Sequence, residues 1–182
     1  MIIKNIYELR KNLESHHYVK PIYLTSGGFD PIHPGHVRCI THTASLATNP
    51  HRHAYYDIGT VVVVVNSDNF LINKKGFAFM SLDERMEIID AISGVDYVTS
   101  WDNTKDDTTV CKPIEILKPK YFTKGGDRFD ASTIPEWEIC QKIGCEILTG
   151  IGAGGKIQSS SNLIKNALKQ IFNKNGNKNE IK

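Results

Sequence analysis

Apolar residues recur along this chain in two alternating rhythms. The run TVVVVV over residues 60–65 is β-branched on both sides of a would-be strand, which predicts an inner strand of a parallel sheet covered by helices on both faces. Shorter apolar runs predict further strands over 22–26, 96–100, 121–124 and 145–149. Between them the spacing turns helical. Ile6, Leu9 and Leu13 predict a helix over 2–15, and Val37, Ile40, Ala44 and Ala47 predict one that opens at Pro34, a residue suited to a first turn because no amide donor is needed there. Ser81 followed three residues later by Glu84 reads as a capping box for a helix over 81–93. Helices are also expected near 109–117, 134–143 and 160–172.

Strands that alternate with helices imply right-handed crossovers and a doubly wound α/β fold: a mainly parallel, Rossmann-like sheet with helices on both faces, in a single domain. Ligands of such sheets sit beyond the carboxyl ends of the strands. The pattern divides the chain into an N-terminal helical segment (1–21), one α/β domain (22–172) interrupted by a polar and aromatic insert (47–59), and a disordered tail (173–182). At 182 residues one core suffices.

Charge removes several function classes. The 22 basic and 20 acidic residues nearly cancel, so no one-signed surplus favours nucleic acid or a membrane surface. The first 17 residues are broken by charge every few positions and form neither a signal h-region nor a membrane span. Four cysteines without a CxxC pair read as free thiols in a reducing compartment, hence a cytoplasmic location. His51 and His53 have zinc-like spacing, but no Cys or third ligand is close in sequence, so a solvated loop is the plainer reading.

Four segments carry groups suited to phosphate. In TSGGFDPIHPGHV, Gly27 and Gly28 permit a sharp turn and close approach, the helix opening at Pro34 offers free amides, and His33 and His36 add imidazole donors. Arg85 falls inside the apolar arc of its helix and so faces inward, toward either an internal carboxylate such as Asp68 or a bound phosphate. In TKGGDR, Lys124 ends a strand, Gly125 and Gly126 open the backbone, and Asp127 could hold a hydroxyl or a metal. Ser159, Ser160 and Ser161 precede the last helix, where one serine would suffice as a cap; with Lys156 nearby they form a second anion cradle. Neither a Walker loop nor a GxGxxG fingerprint occurs.

Taken in order, GGFDPIHPGH, VVVVNSD, LDERMEII, GVDYVTSW, KGGD and SSSNLIK resemble the cytidylyltransferase-like nucleotidyltransferases over residues 22–172. The KGGD box and VNSD run look most like the adenylyltransferase domain that makes ADP-heptose from a heptose 1-phosphate, with glycerol-phosphate cytidylyltransferases next. The resemblance implies that His33 and His36 contact the nucleotide phosphates and stabilise charge at the α-phosphorus, with Gly27, Gly28, Phe29 and Asp30 in the same nucleotide-binding motif. It implies that Ser159, Ser160 and Ser161 hold the β and γ groups, that Lys75 is the family lysine of the loop before the ERM helix, and that Arg85 binds phosphate. Lys124, Gly125, Gly126 and Asp127 would face the nucleotide. Gly28 in place of Cys or Thr, Arg128 in place of an aromatic, and the insert depart from the nearest members and bear on the acceptor.

The implied reaction is transfer of AMP from ATP to a sugar phosphate with release of pyrophosphate, Mg²⁺ entering with the triphosphate rather than on a dedicated protein motif. Two rivals are a CTP-dependent transfer to glycerol phosphate or a similar polyol phosphate, and a nucleotide-binding regulatory protein without turnover. Relatives of this kind commonly dimerise, so a homodimer, with the insert at its interface, is compatible with the resemblance.

Overall fold

The computed structural model describes residues 1–15, 20–48, 58–102, 107–126, 130–152 and 158–176. The insert histidines His51 and His53, the residues Asp127, Arg128 and Lys156, and the tail from 177 onward lie outside them. Five strands, β1 (Ile22–Gly27), β2 (Thr60–Asn66), β3 (Tyr97–Trp101), β4 (Tyr121–Gly125) and β5 (Glu146–Ile151), form one sheet in the order β3-β2-β1-β4-β5. Every pairing is parallel, so the sheet is wholly rather than mainly parallel. All seven residues of β2 are buried, as a strand covered on both sides requires. The helices are α1 (Ile6–Glu14), α2 (Pro34–Ala47), α3 (Asp68–Lys75), α4 (Leu82–Asp90), α5 (Cys111–Leu117), α6 (Trp137–Ile143) and α7 (Ser160–Gly176).

The pleat sorts side chains cleanly between two faces. Ile40 of α2 and Met86 and Ile89 of α4 pack on Val63 and Val65, while Ala44 and Ala47 pack on Tyr23, Val61 and Tyr121. On the opposite face Ile6 and Leu9 of α1, Ile114 and Leu117 of α5 and Cys140 of α6 pack on Leu24, Val62, Val64 and Phe122. Strand order reverses between β1 and β4, so the topological switch point lies where the carboxyl ends of these two strands diverge. The HPGH segment leaves β1 and the KGG segment ends β4, which brings both to that crevice.

Four elements differ from the periodicity. The helix expected over 2–15 begins only at Ile6, because Ile2 and Ile3 run extended beside β3: Ile3 N donates to Val98 O at 2.9 Å, and Asn5 then caps α1 through the amides of Tyr7 and Glu8. Lys75, expected in a loop, lies with Lys74 in the last turn of α3, which Ser67 caps through the amide of Phe70 and Gly76 ends at φ 86°. A 3-10 turn, Ala131–Thr133, precedes α6, which starts at Trp137 rather than at 134. The last helix continues through Gly176, so residues 173–176 are helical rather than tail.

Candidate active site

The first glycine pair works by leaving room, not by turning. A Cβ on Gly27 would lie 3.0 Å from the Phe29 ring, and one on Gly28 would lie 2.6 Å from Leu71 Cδ2. The sharp turn falls instead on Phe29, held at φ 52° with its side chain buried, and the Asp30–Pro31 peptide is cis. The chain then enters α2 with His33 as N-cap: its Nδ1 accepts from Gly35 N at 3.1 Å. That bond fixes the neutral tautomer, leaving the proton on Nε2 as a donor. One turn on, the His36 ring stacks on His33 with centroids 3.7 Å apart and meets the edge of Phe29 at 5.2 Å.

Both imidazoles are held neutral. Burial lowers the His33 pKa, and burial, together with the adjacent His33 and Lys75, pulls His36 down to about 4. They therefore serve as hydrogen-bonding groups, not as cations. His36 Nδ1 is buried without a hydrogen-bond partner.

Asp30 is the hub of this loop. Its carboxylate, 1 % exposed, accepts from the amides of Phe79 (2.9 Å) and Met80 (2.7 Å) and from Lys75 Nζ (3.2 Å), which also donates to the Asp30 carbonyl at 2.8 Å. Lys75 is thereby delivered from the end of α3 to the motif, with its ammonium group also 5.6 Å from the Phe77 ring centroid. Arg85 faces inward, as its place on the apolar arc of its helix predicts. Its guanidinium is fully buried, pairs with Asp68, and donates to the carbonyls of Met80 (3.1 Å), Gly28 (2.8 Å) and Asn66 (2.7 Å). Through these bonds Arg85 holds β1, β2 and α4 in register beneath the loop.

The late segments divide. The start of α7 converges on the first motif: Ser160 Oγ donates to the Pro31 carbonyl at 2.9 Å, across 129 residues of sequence. Ser159 caps the helix, its Oγ accepting from Asn162 N at 3.2 Å, and Ser161 is exposed. Two helix starts, α2 and α7, thus meet at one place, and each contributes first-turn amides and the positive end of a dipole. Lys124, by contrast, projects from the other side of the sheet, 3.5 Å from Glu136 and over the Phe122 ring at 4.6 Å. The expected nucleotide contact of Lys124 would therefore come from the face opposite the imidazoles. Gly125 is required by packing, since its Cβ would meet Cys39 Sγ at 3.0 Å, and Gly126 carries a turn at φ 85°.

Beside the first turn of α2 runs an open cleft of about 440 Å³ lined by Ile32, His33, Pro34, Val37 and Arg38. Arg38 and Glu136 escaped the sequence reading, and Asn66 entered it only as part of the VNSD run. Arg38 stands one helical turn after Pro34, a spacing that could have flagged it. The burial of Asn66 and Glu136 is visible only in the fold. The described residues contain no cluster of three His, Cys, Asp or Glu side chains, and all four cysteines are free. No helix among them is long and apolar enough to cross a membrane.

Neutral donors, two helix starts and a lysine around one crevice suit the phosphates of a nucleotide. The chain is 33% identical over 128 residues to the bifunctional protein HldE of Hahella chejuensis, covering 69% of this chain and 24% of that protein. It is 29% identical over 149 residues to the HldE of Desulfatibacillum aliphaticivorans, covering 80% and 27%. It thus spans about a quarter of the length of these curated relatives. Among solved structures, a lipopolysaccharide core biosynthesis protein from Thermoplasma volcanium superposes with a TM-score of 0.55 at 21% identity, over 74% of this chain and 98% of that one. A pantoate-beta-alanine ligase from Francisella tularensis does so with a TM-score of 0.55 at 13% identity, over 82% and 66%. The cytidylyltransferase-like family model matches residues 24–147, from the heart of β1 into β5, and the chain belongs to that family of nucleotidyltransferases.

Proposed function

We propose that the protein transfers AMP from ATP to a sugar phosphate of the heptose 1-phosphate kind and releases pyrophosphate, as a cytoplasmic enzyme. The observation that carries this reading is the Ser160–Pro31 hydrogen bond, which joins the two phosphate-suited helix starts in one crevice. The HldE relatives and the KGGD box favour the adenylyl and sugar-phosphate assignments.

In this reaction an oxygen of the acceptor phosphate bonds to the α-phosphorus as the bond from that phosphorus to the β-bridging oxygen breaks. Both nucleophile and leaving group are oxyanions at neutral pH, so no protein base or covalent intermediate is needed. The residues act by positioning and by charge stabilisation. His33, its Nδ1 occupied by Gly35 N, offers Nε2–H to a phosphoryl oxygen, and His36, stacked against it, holds a second imidazole at the start of α2. Lys75, tethered to Asp30, supplies fixed positive charge at the same loop. The α7 start, with Ser159, Ser160 and Ser161, receives the outer phosphates.

The donor set fits a magnesium–nucleotide complex rather than a protein-bound ion. Asp30, the carboxylate inside the motif, is already satisfied by two amides and Lys75, and the groups around it are amides, imidazoles and cations. Mg²⁺ on the triphosphate would screen its charge.

The test is pyrophosphate release from ATP and from CTP, each with a heptose 1-phosphate, a hexose 1-phosphate and glycerol 3-phosphate. ATP with the heptose phosphate is expected to be fastest. Preference for CTP with glycerol phosphate would replace the reading by the cytidylyl transfer, and nucleotide binding without release in any pair would make the protein a regulator.

A further inference from the structure

Three buried polar side-chain atoms lack a hydrogen-bond partner among the described residues: His36 Nδ1, Asn66 Oδ1 and Glu136 Oε2. Leaving such an atom without a hydrogen bond is costly, so native proteins rarely keep one without a use. His36 belongs to the α2 face and the phosphate cradle. The other two belong to the opposite face. Asn66 is the next even-numbered residue of β2 after Val62 and Val64, whose side chains pack with α1 and α5. Lys124 follows Phe122 on that same face, and Trp101 of β3 also packs against it. Glu136, just before α6, is 4 % exposed; its Oε1 accepts from Val110 N at 3.2 Å, while Oε2 has only the ion pair with Lys124 at 3.5 Å. Asn66 is 6 % exposed and stands at the carboxyl end of β2, one step beyond the Gly27–Val65 pairing.

We propose that this end of the sheet, on its α5–α6 face, seats the phosphorylated, hydroxyl-bearing acceptor, with Asn66 and Glu136 accepting hydrogen bonds from its hydroxyls and Lys124 meeting its phosphate. The chemistry separates this seat from the nucleotide cradle. Triphosphate oxygens only accept, so they satisfy imidazole N–H groups, amides and lysines. An amide oxygen and a carboxylate oxygen can be satisfied only by donors, and hydroxyls are the donors of a sugar or polyol phosphate. Strand β1 alone separates β2 from β4, and Asn66 lies two residues further along the sheet than Lys124, so their backbones stand about 12 Å apart, a span that one such molecule bridges. Nucleotide and acceptor then approach the switch point from opposite faces of one sheet, which puts the acceptor phosphate on the far side of the α-phosphorus from the leaving group.

The assignment rests on the transfer reaction proposed above, but its test does not require turnover. Binding of glycerol 3-phosphate, a hexose 1-phosphate and inorganic phosphate to the full chain is measured by calorimetry, for the wild type and for the variants Asn66→Ala and Glu136→Gln. The wild type should bind the two hydroxyl-bearing phosphates at least tenfold more tightly than inorganic phosphate, and each variant should lose most of that preference while its affinity for inorganic phosphate stays within about twofold. A wild type without the preference overturns the proposal even if neither variant folds, and so does a preference that survives in both folded variants. Failure of pyrophosphate release together with a retained, variant-sensitive preference would remove the reaction and leave the seat.

Discussion

Acidification should destabilise this protein through His36 in a way that one substitution removes. The ring is pressed between His33 and the Phe29 edge, and its pKa falls from 6.5 to about 4 because burial and the neighbouring His33 and Lys75 disfavour its charged form. The folded protein therefore binds a proton less readily than the unfolded chain. His36 costs no stability above pH 6.5, and stability declines as pH falls from 6.5 toward 4. The interval of about 2.5 pH units, at about 1.36 kcal/mol each, sets a ceiling of about 3 kcal/mol, most of it reached at pH 4. Urea unfolding at pH 8, 6.5, 5 and 4 would be followed for the wild type and for His36→Phe, which keeps an aromatic ring without a titrating nitrogen. Carboxylates titrate alike in both proteins, so the difference between the two curves isolates the imidazole. The wild type should lose about 3 kcal/mol more than the variant between pH 8 and 4. Parallel curves would show that the ring is not held neutral by its surroundings, and the description of the pair as neutral donors would fall with it.

Three further outcomes follow from the site. His36→Ala should lower pyrophosphate release by roughly 10² to 10³, about 3 to 4 kcal/mol of transition-state stabilisation, with the circular dichroism spectrum unchanged at pH 7.5; near-wild-type turnover would take the residue out of the mechanism. Arg85→Met strips Asp68 and three carbonyls of their partner, and a loss of about 3 to 5 kcal/mol in guanidinium unfolding is expected. Gly28→Ala drives a methyl group into Leu71, costing about 1 to 3 kcal/mol, and the added Leu71→Ala change should recover part of it; additive losses would show that the two positions do not touch.

The strands were legible because a covered parallel sheet writes itself as apolar runs, and β2 is the clearest case. The capping box at Ser81 and Glu84 formed as read, with both reciprocal bonds present. Helix α3 was not legible from periodicity, because Phe70, Leu71 and Ile72 are contiguous and give no single apolar face; its signals were Ser67 at one end and Gly76 at the other. The first residues were misread as helix because their partner, Val98, is 95 positions away and no local pattern announces it. Arg85 was correctly read as inward, but the balance between carboxylate and phosphate depends on how many carbonyls surround the fork, which only the fold decides. The convergence of HPGH with the serine segment was legible as an expectation, and the Ser160–Pro31 bond supplies the contact. Glu136 left no trace in sequence, and Asn66 only its place in the VNSD run, since the interest of both lies in what they lack.

That same bond ties function to synthesis. One jaw of the crevice is made by residue 31 and the other by residue 160, so the second jaw is synthesised only after all five strands of the sheet. A nascent or C-terminally clipped chain would have its imidazoles in place yet have no counter-jaw to grip the outer phosphates. Competence for the nucleotide would then arrive as a late step, when the final helix docks against a loop completed long before it.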